Sequence, residues 1–224
     1  MPRFVLPILV VAIVGLGLSI LGLATIIRRS QATMQPATSR AAAPDDIASG
    51  LAIPAFRLTD QDGVSRDESL LDGRLTVVDF IFTNCPFACP IMTGVMHDAA
   101  ERLKDSPVRF LSISVDPAHD TPARLKEFAA KNACDPARWT FLTGDRAGIE
   151  RIVKDGLRFA LHDDDKTPVR LADGTSMSNV VHPTKLLLIG PDRRVIAFFE
   201  SSIPEDLDRL VERARRAAKE LNPK

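Results

Sequence analysis

The sequence predicts an α/β domain, a mixed sheet flanked by helices, preceded by one N-terminal transmembrane helix. Three observations predict it. No residue from Phe4 to Ile27 is charged, a run long enough for a helix to cross a bilayer, which needs roughly 20 residues. Apolar, β-branched runs then alternate with helical segments. Last, two apolar runs joined by a tight turn near the C-terminus must pair antiparallel, so the sheet is mixed.

The elements follow in order. Residues 1–29 read as a retained membrane anchor, because a cleaved signal usually has an apolar region of only about 7–15 residues. Arg3 lies before the run and Arg28 and Arg29 after it. Counted by the positive-inside rule, they slightly favour placing the C-terminal domain inside. Residues 30–52, rich in Ala, Ser, Thr, Pro and Gln, read as a flexible linker. The folded domain is expected over 53–224. Ala55–Thr59, a turn at Asp60-Gln61-Asp62-Gly63 and Val64–Arg66 form a small hairpin. Leu75–Thr83 is almost continuously apolar and reads as a buried strand. A helix follows over about Cys89–Lys104, then a strand at Val108–Val115. Thr121 caps a helix with Pro122 in its first turn, running to Lys131. Trp139–Leu142 is a strand and Ala147–Leu157 a helix. Leu161–Val180 is polar, with Asp163-Asp164-Asp165, and is expected to be a long loop. Lys185–Gly190 and Val195–Ser201 form the terminal hairpin, and an amphipathic helix spans Pro204–Leu221.

Charge excludes one class of function. The chain has 29 basic and 29 acidic residues. Setting aside Arg3, Arg28 and Arg29 leaves 26 basic against 29 acidic, so nothing favours nucleic-acid binding.

The chemistry centres on Thr83-Asn84-Cys85-Pro86-Phe87-Ala88-Cys89-Pro90. Cys85 and Cys89 stand at a strand–helix junction, where sites in α/β sheets collect. At i and i+4 on a helix their Cβ atoms are about 5–6 Å apart, suited to one soft metal ion or to reversible disulfide chemistry. A helix N-terminus favours thiolates, so both sulfurs are expected to be unusually acidic. The alternative is a pair packed as small apolar side chains. Cys134 lies apart and reads as incidental, and Met92 and Met96 read as core.

Cys85-Pro-x-x-Cys89-Pro, followed by Ser114-Val115-Asp116-Pro117-x-x-Asp120-Thr121-Pro122, resembles the Sco/SenC family of copper chaperones. The stretch Ala55–Gly63 fits the same family, and the resemblance spans roughly 53–201. It implies a thioredoxin-like fold and a membrane-anchored domain outside the cytoplasm; the short stretch before the apolar run points to a bacterial inner membrane, so the domain is expected in the periplasm. It also implies copper, Cu(I) or Cu(II), held by Cys85, Cys89 and His182. The implied partner is the copper-site subunit of cytochrome c oxidase, or another copper apoprotein, and the implied role is that of a carrier rather than an enzyme. Asp116, on the same sheet edge as Cys85, would accept a hydrogen bond near the metal or orient a ligand; otherwise it is a turn or cap residue. His97 sits too far along the helix to meet the sulfurs. His119 and His162 read as loop residues.

Two features depart from the family. Many members carry an acidic residue between the cysteines; Phe87-Ala88 is uncharged here and is expected to favour Cu(I). His182-Pro183-Thr184 looks like the cis-proline entry of thioredoxins, so a cis bond is expected. That position also keeps a thiol–disulfide oxidoreductase, using Cys85 and Cys89 as a redox dithiol, as the alternative function. A peroxidase is weaker, because no arginine matches the pocket it needs.

Overall fold

The computed structural model describes residues 50–221 except Phe87 and Ala172. The chain divides into units at 1–43 and 44–224, and the described residues lie in the second. The expected anchor and most of the linker lie outside them. Among the described residues no helix is long and apolar enough to cross a membrane.

Seven strands form one mixed sheet, in the order β2 (Ser65–Asp67), β1 (Arg57–Asp60), β5 (Trp139–Thr143), β4 (Arg109–Ser114), β3 (Thr76–Ile81), β8 (Lys185–Ile189) and β9 (Val195–Glu200). The first hairpin is β1 (Arg57–Asp60) and β2 (Ser65–Asp67). Its turn is tied by Asp60, which accepts from the Asp62 and Val64 amides and from Arg66 Nε. A 3-10 turn over Glu68–Leu70 leads to β3 (Thr76–Ile81), all of whose residues are buried. Helix α1 (Ala88–Arg102) crosses to β4 (Arg109–Ser114), parallel to β3. Helix α2 (Pro122–Lys131) crosses to β5 (Trp139–Thr143), parallel to β4. Thr121 caps α2 by accepting from the Arg124 amide, with Pro122 in the first turn as the sequence requires.

Helix α3 (Arg146–Glu150) continues as a π-helix over Arg151–Gly156. The terminal hairpin is β8 (Lys185–Ile189) and β9 (Val195–Glu200), with β8 antiparallel to β3. Helix α4 (Pro204–Leu221) packs on α1 and β9, while α2 packs on β5.

The polar stretch expected to be a loop is a hairpin, β6 (His162–Arg170) with β7 (Ser176–Val181), forming a separate two-stranded sheet. His162 is therefore a strand residue. Only Val169 and Val180 of the pair are buried. Without an apolar face, the segment carries none of the alternation that marks a strand. Leu51 and Ala52 also pair with the chain at Arg194–Val195.

The sheet places the site. Cys85 follows β3, and Asp116 and Asp120 follow β4, at the carboxyl edge of the parallel strands. The antiparallel register pairs Thr76 with Ile189 and Val78 with Leu187. That brings the entry to β8, where His182 stands, level with the exit of β3.

Candidate metal centre

Cys85 precedes α1 rather than lying in it. Its amide donates to Phe82 O at 3.1 Å. Its sulfur accepts the Cys89 amide at 3.4 Å, so the thiol caps the first turn of the helix. Cys89 is 1% exposed, and its sulfur accepts the Phe82 amide at 3.5 Å. His182 Nε2 stands 3.8 Å from Cys89 Sγ. Its Nδ1 lies 3.0 Å from Pro183 O, and its ring meets Phe82 edge-on at 5.6 Å between centroids.

Donor atoms of Cys85, Cys89 and His182 all lie within 4.8 Å of one another. Two sulfurs on one ion, each bound at about 2.3 Å, are at most ~4.6 Å apart, so the group fits one ion with little movement. Two thiolates and an imidazole suit soft and borderline ions, Cu(I) and Zn(II) among them. None of Cys85, Cys89 and Cys134 is in a disulfide. Cys134 is buried, and burial pushes its thiol up to about 12.

Two expectations are corrected. Cys89 is not acidic: the hydrogen bond it shares with Cys85, then burial, push its thiol far above the ordinary range. Desolvation and the shared proton outweigh the helix N-terminus. The described residues contain no cis peptide, so His182–Pro183 is trans. Trans is the lower-energy form even before proline, and here the Pro183 carbonyl faces its neighbour's own imidazole. Phe87, central to the Cu(I) preference, lies outside the described residues.

Other residues sort clearly. The Asp116 carboxylate is taken by the His119 ring, with Nδ1 2.9 Å from each oxygen. Met92 and Met96 are fully buried core. Sequence reasoning gave no role to two acids. Asp120 is fully buried and binds the Thr83 amide and hydroxyl and the Ser114 hydroxyl. It stands in the Asp-x-x-x-Asp-Thr-Pro stretch, directly before the α2 cap, and that placement was its only signal. Asp79 is fully buried on β3, and neither carboxyl oxygen has a hydrogen-bond partner. Burial raises it to about 7, while the nearby Ser112 hydroxyl and then the charge of His182 draw it down. Ser112 makes no hydrogen bond to those oxygens, so it acts as a neighbouring dipole.

Comparison with known proteins gives the chain's relatives. The SCO1/SenC family model matches residues 45–219. A SCO1 protein homolog of Bacillus subtilis is 37% identical over 147 residues, covering 64% of this chain and 71% of that one. The structure of BsSco, a member of the Sco family of cytochrome c oxidase assembly proteins with a disulfide switch, superposes with TM-score 0.61 at 31% identity, covering 75% and 94% of the two chains. ScoI of Bradyrhizobium japonicum, solved with copper bound, gives 0.54 at 27% identity, covering 73% and 99%. With most of its length matched by the family model, and a cysteine pair and histidine gathered at one sheet edge, the chain belongs to the SCO1/SenC family.

Proposed function

We propose that this protein binds copper through Cys85, Cys89 and His182 and delivers it to the binuclear copper centre of cytochrome c oxidase during assembly. The observation that carries this reading is the convergence of two sulfurs and one imidazole nitrogen within 4.8 Å. A similar chain, ScoI of Bradyrhizobium japonicum, holds copper, and BsSco belongs to a family of oxidase assembly proteins. Residues 1–29 anchor the chain in a bacterial inner membrane, with the domain in the periplasm. Copper is cargo: the site must hold it firmly yet release it to stronger recipient ligands.

The test is a Cu(I) and Cu(II) titration of the full chain beside Cys85→Ser, Cys89→Ser and His182→Ala. Each variant is expected to lose affinity by at least the ~10–100-fold that follows loss of a supporting partner. Full affinity without His182 would defeat the three-ligand site.

A second reading rests on the hydrogen bond between the two thiols. Adjacent sulfurs suit thiol–disulfide exchange, in which Cys85 and Cys89 give two electrons and two protons to a target disulfide and become a disulfide themselves. His182→Ala separates the readings, because exchange survives it and copper binding does not.

A further inference from the structure

The copper ligands come from two distant segments: Cys89 and His182 are 93 residues apart. The covalent chain does not set their spacing. A chain of polar contacts, built from groups other than the three ligands, runs between those segments.

It starts at Asp120, buried behind the cysteine loop. This carboxylate accepts from Ser114 Oγ at 2.6 Å, from Thr83 Oγ1 at 2.5 Å and from the Thr83 amide at 3.1 Å. The Thr83 hydroxyl gives its one proton to Asp120, so its lone pairs face outward. Arg124, in the first turn of α2, donates to one of them through Nε at 2.7 Å and reaches Asn84 Oδ1 with Nη2 at 2.5 Å. The Asn84 amide then meets Met177 Sδ at 3.5 Å. Met177 lies on β7, which ends at Val181, immediately before His182. Asn84 immediately precedes Cys85. The contacts thus join the residue before Cys85 to the strand that leads into His182.

We propose that Asp120 and Arg124 are positioning residues, which hold the Thr83–Cys85 loop in register with the β6–β7 hairpin and so set the geometry that Cys85, Cys89 and His182 offer to copper. Arg124 suits the task because a planar guanidinium serves two acceptors at fixed spacing, which an ammonium cannot do. Asp120 suits it because a buried carboxylate with three donors has one low-energy position. Met177 gives the hairpin a contact that yields readily, since N–H···S bonds are weak.

The proposal rests on the copper reading, so the experiment separates the two. Arg124→Lys, Met177→Leu and Cys85→Ser are made in the full chain. Cu(I) affinity is measured against a chromophoric chelator, the Cu(II)–thiolate absorption is recorded, and melting is followed by circular dichroism. Arg124 is exposed, and Met177→Leu nearly conserves volume, so both variants should melt like the parent. Arg124→Lys is expected to bind copper about 10–100-fold more weakly and to shift the thiolate absorption. Met177→Leu is expected to move both in the same direction by less. Parental affinity and spectrum in both variants, with copper lost in Cys85→Ser, would overturn the tie and leave the copper site standing. Copper retained by Cys85→Ser would overturn the site and, with it, the tie.

Discussion

His182 Nε2 faces Cys89 Sγ at 3.8 Å, while Nδ1 of the same ring lies 3.0 Å from the Pro183 carbonyl. A carbonyl only accepts, so Nδ1 must carry the proton in the neutral ring. That leaves the Nε2 lone pair directed at the sulfurs, the arrangement a metal ligand needs. Long-range nitrogen–proton NMR of the metal-free protein at pH 8 is therefore expected to show the Nδ1-protonated tautomer. A dominant Nε2-protonated ring would contradict this geometry.

Copper binding should be strongly pH-dependent, and the sign follows from Cys89. The shared hydrogen bond with Cys85, followed by burial, keeps Cys89 a thiol at any physiological pH. A metal must displace that proton, so binding releases it and the apparent affinity rises with pH. The expected slope is about tenfold per pH unit for each proton released. Competition titrations at pH 6, 7 and 8 measure it, and a flat profile would mean that Cys89 is already a thiolate or is not a ligand.

The sequence reveals the candidate donors more readily than their support. Cys85 and Cys89 are visible as soft donors beside an apolar strand, and His182 through the family resemblance and the apolar strand after it; the strands are visible because β3, β4 and β8 are almost wholly buried. The β6–β7 hairpin is not, because its residues are mostly exposed on both faces and alternate in nothing. The acidity expected of Cys89 is local reasoning from a helix N-terminus; the hydrogen bond with Cys85 and then burial, both set by how the loop folds, reverse it. Asp79 and Asp120 show the same limit. Asp79 lies within an apolar run and Asp120 in a polar loop, yet the loop aspartate binds three donors while buried and the strand aspartate binds none, a contrast decided by what folds against them.

Gly156 is expected to resist substitution. A Cβ there would stand 2.5 Å from the Pro54 ring and 2.7 Å from the Ala52 carbonyl oxygen. Neither is the end of a flexible side chain, so the backbone must move. The glycine lets the end of the π-helix press against the first residues of the domain. Gly156→Ala should lower stability by about 1–3 kcal/mol, as overpacking does, read as a lower urea midpoint with unchanged slope. An unchanged midpoint would show that this junction yields freely.

Asp79 should make stability fall as pH rises, the reverse of an ion-paired carboxylate. Its folded pKa is raised by burial from 3.8 to about 7, so between those values the folded protein holds a proton that the unfolded chain has lost. Stability then declines across that window and levels off above it. A rise of this size corresponds to about 4 kcal/mol at most, comparable with a large part of a typical domain's net stability. Asp79→Asn removes the titration while keeping the shape. Its amide is buried in the same unpartnered place, which adds an offset that does not depend on pH. The informative quantity is therefore the stability difference between variant and parent, from urea denaturation at pH 5 and pH 8. That difference should move in the variant's favour by a few kcal/mol at the higher pH. If it is the same at both, the carboxyl is already ionised in the fold, and something other than a proton must be stabilising it beneath Cys89 and His182.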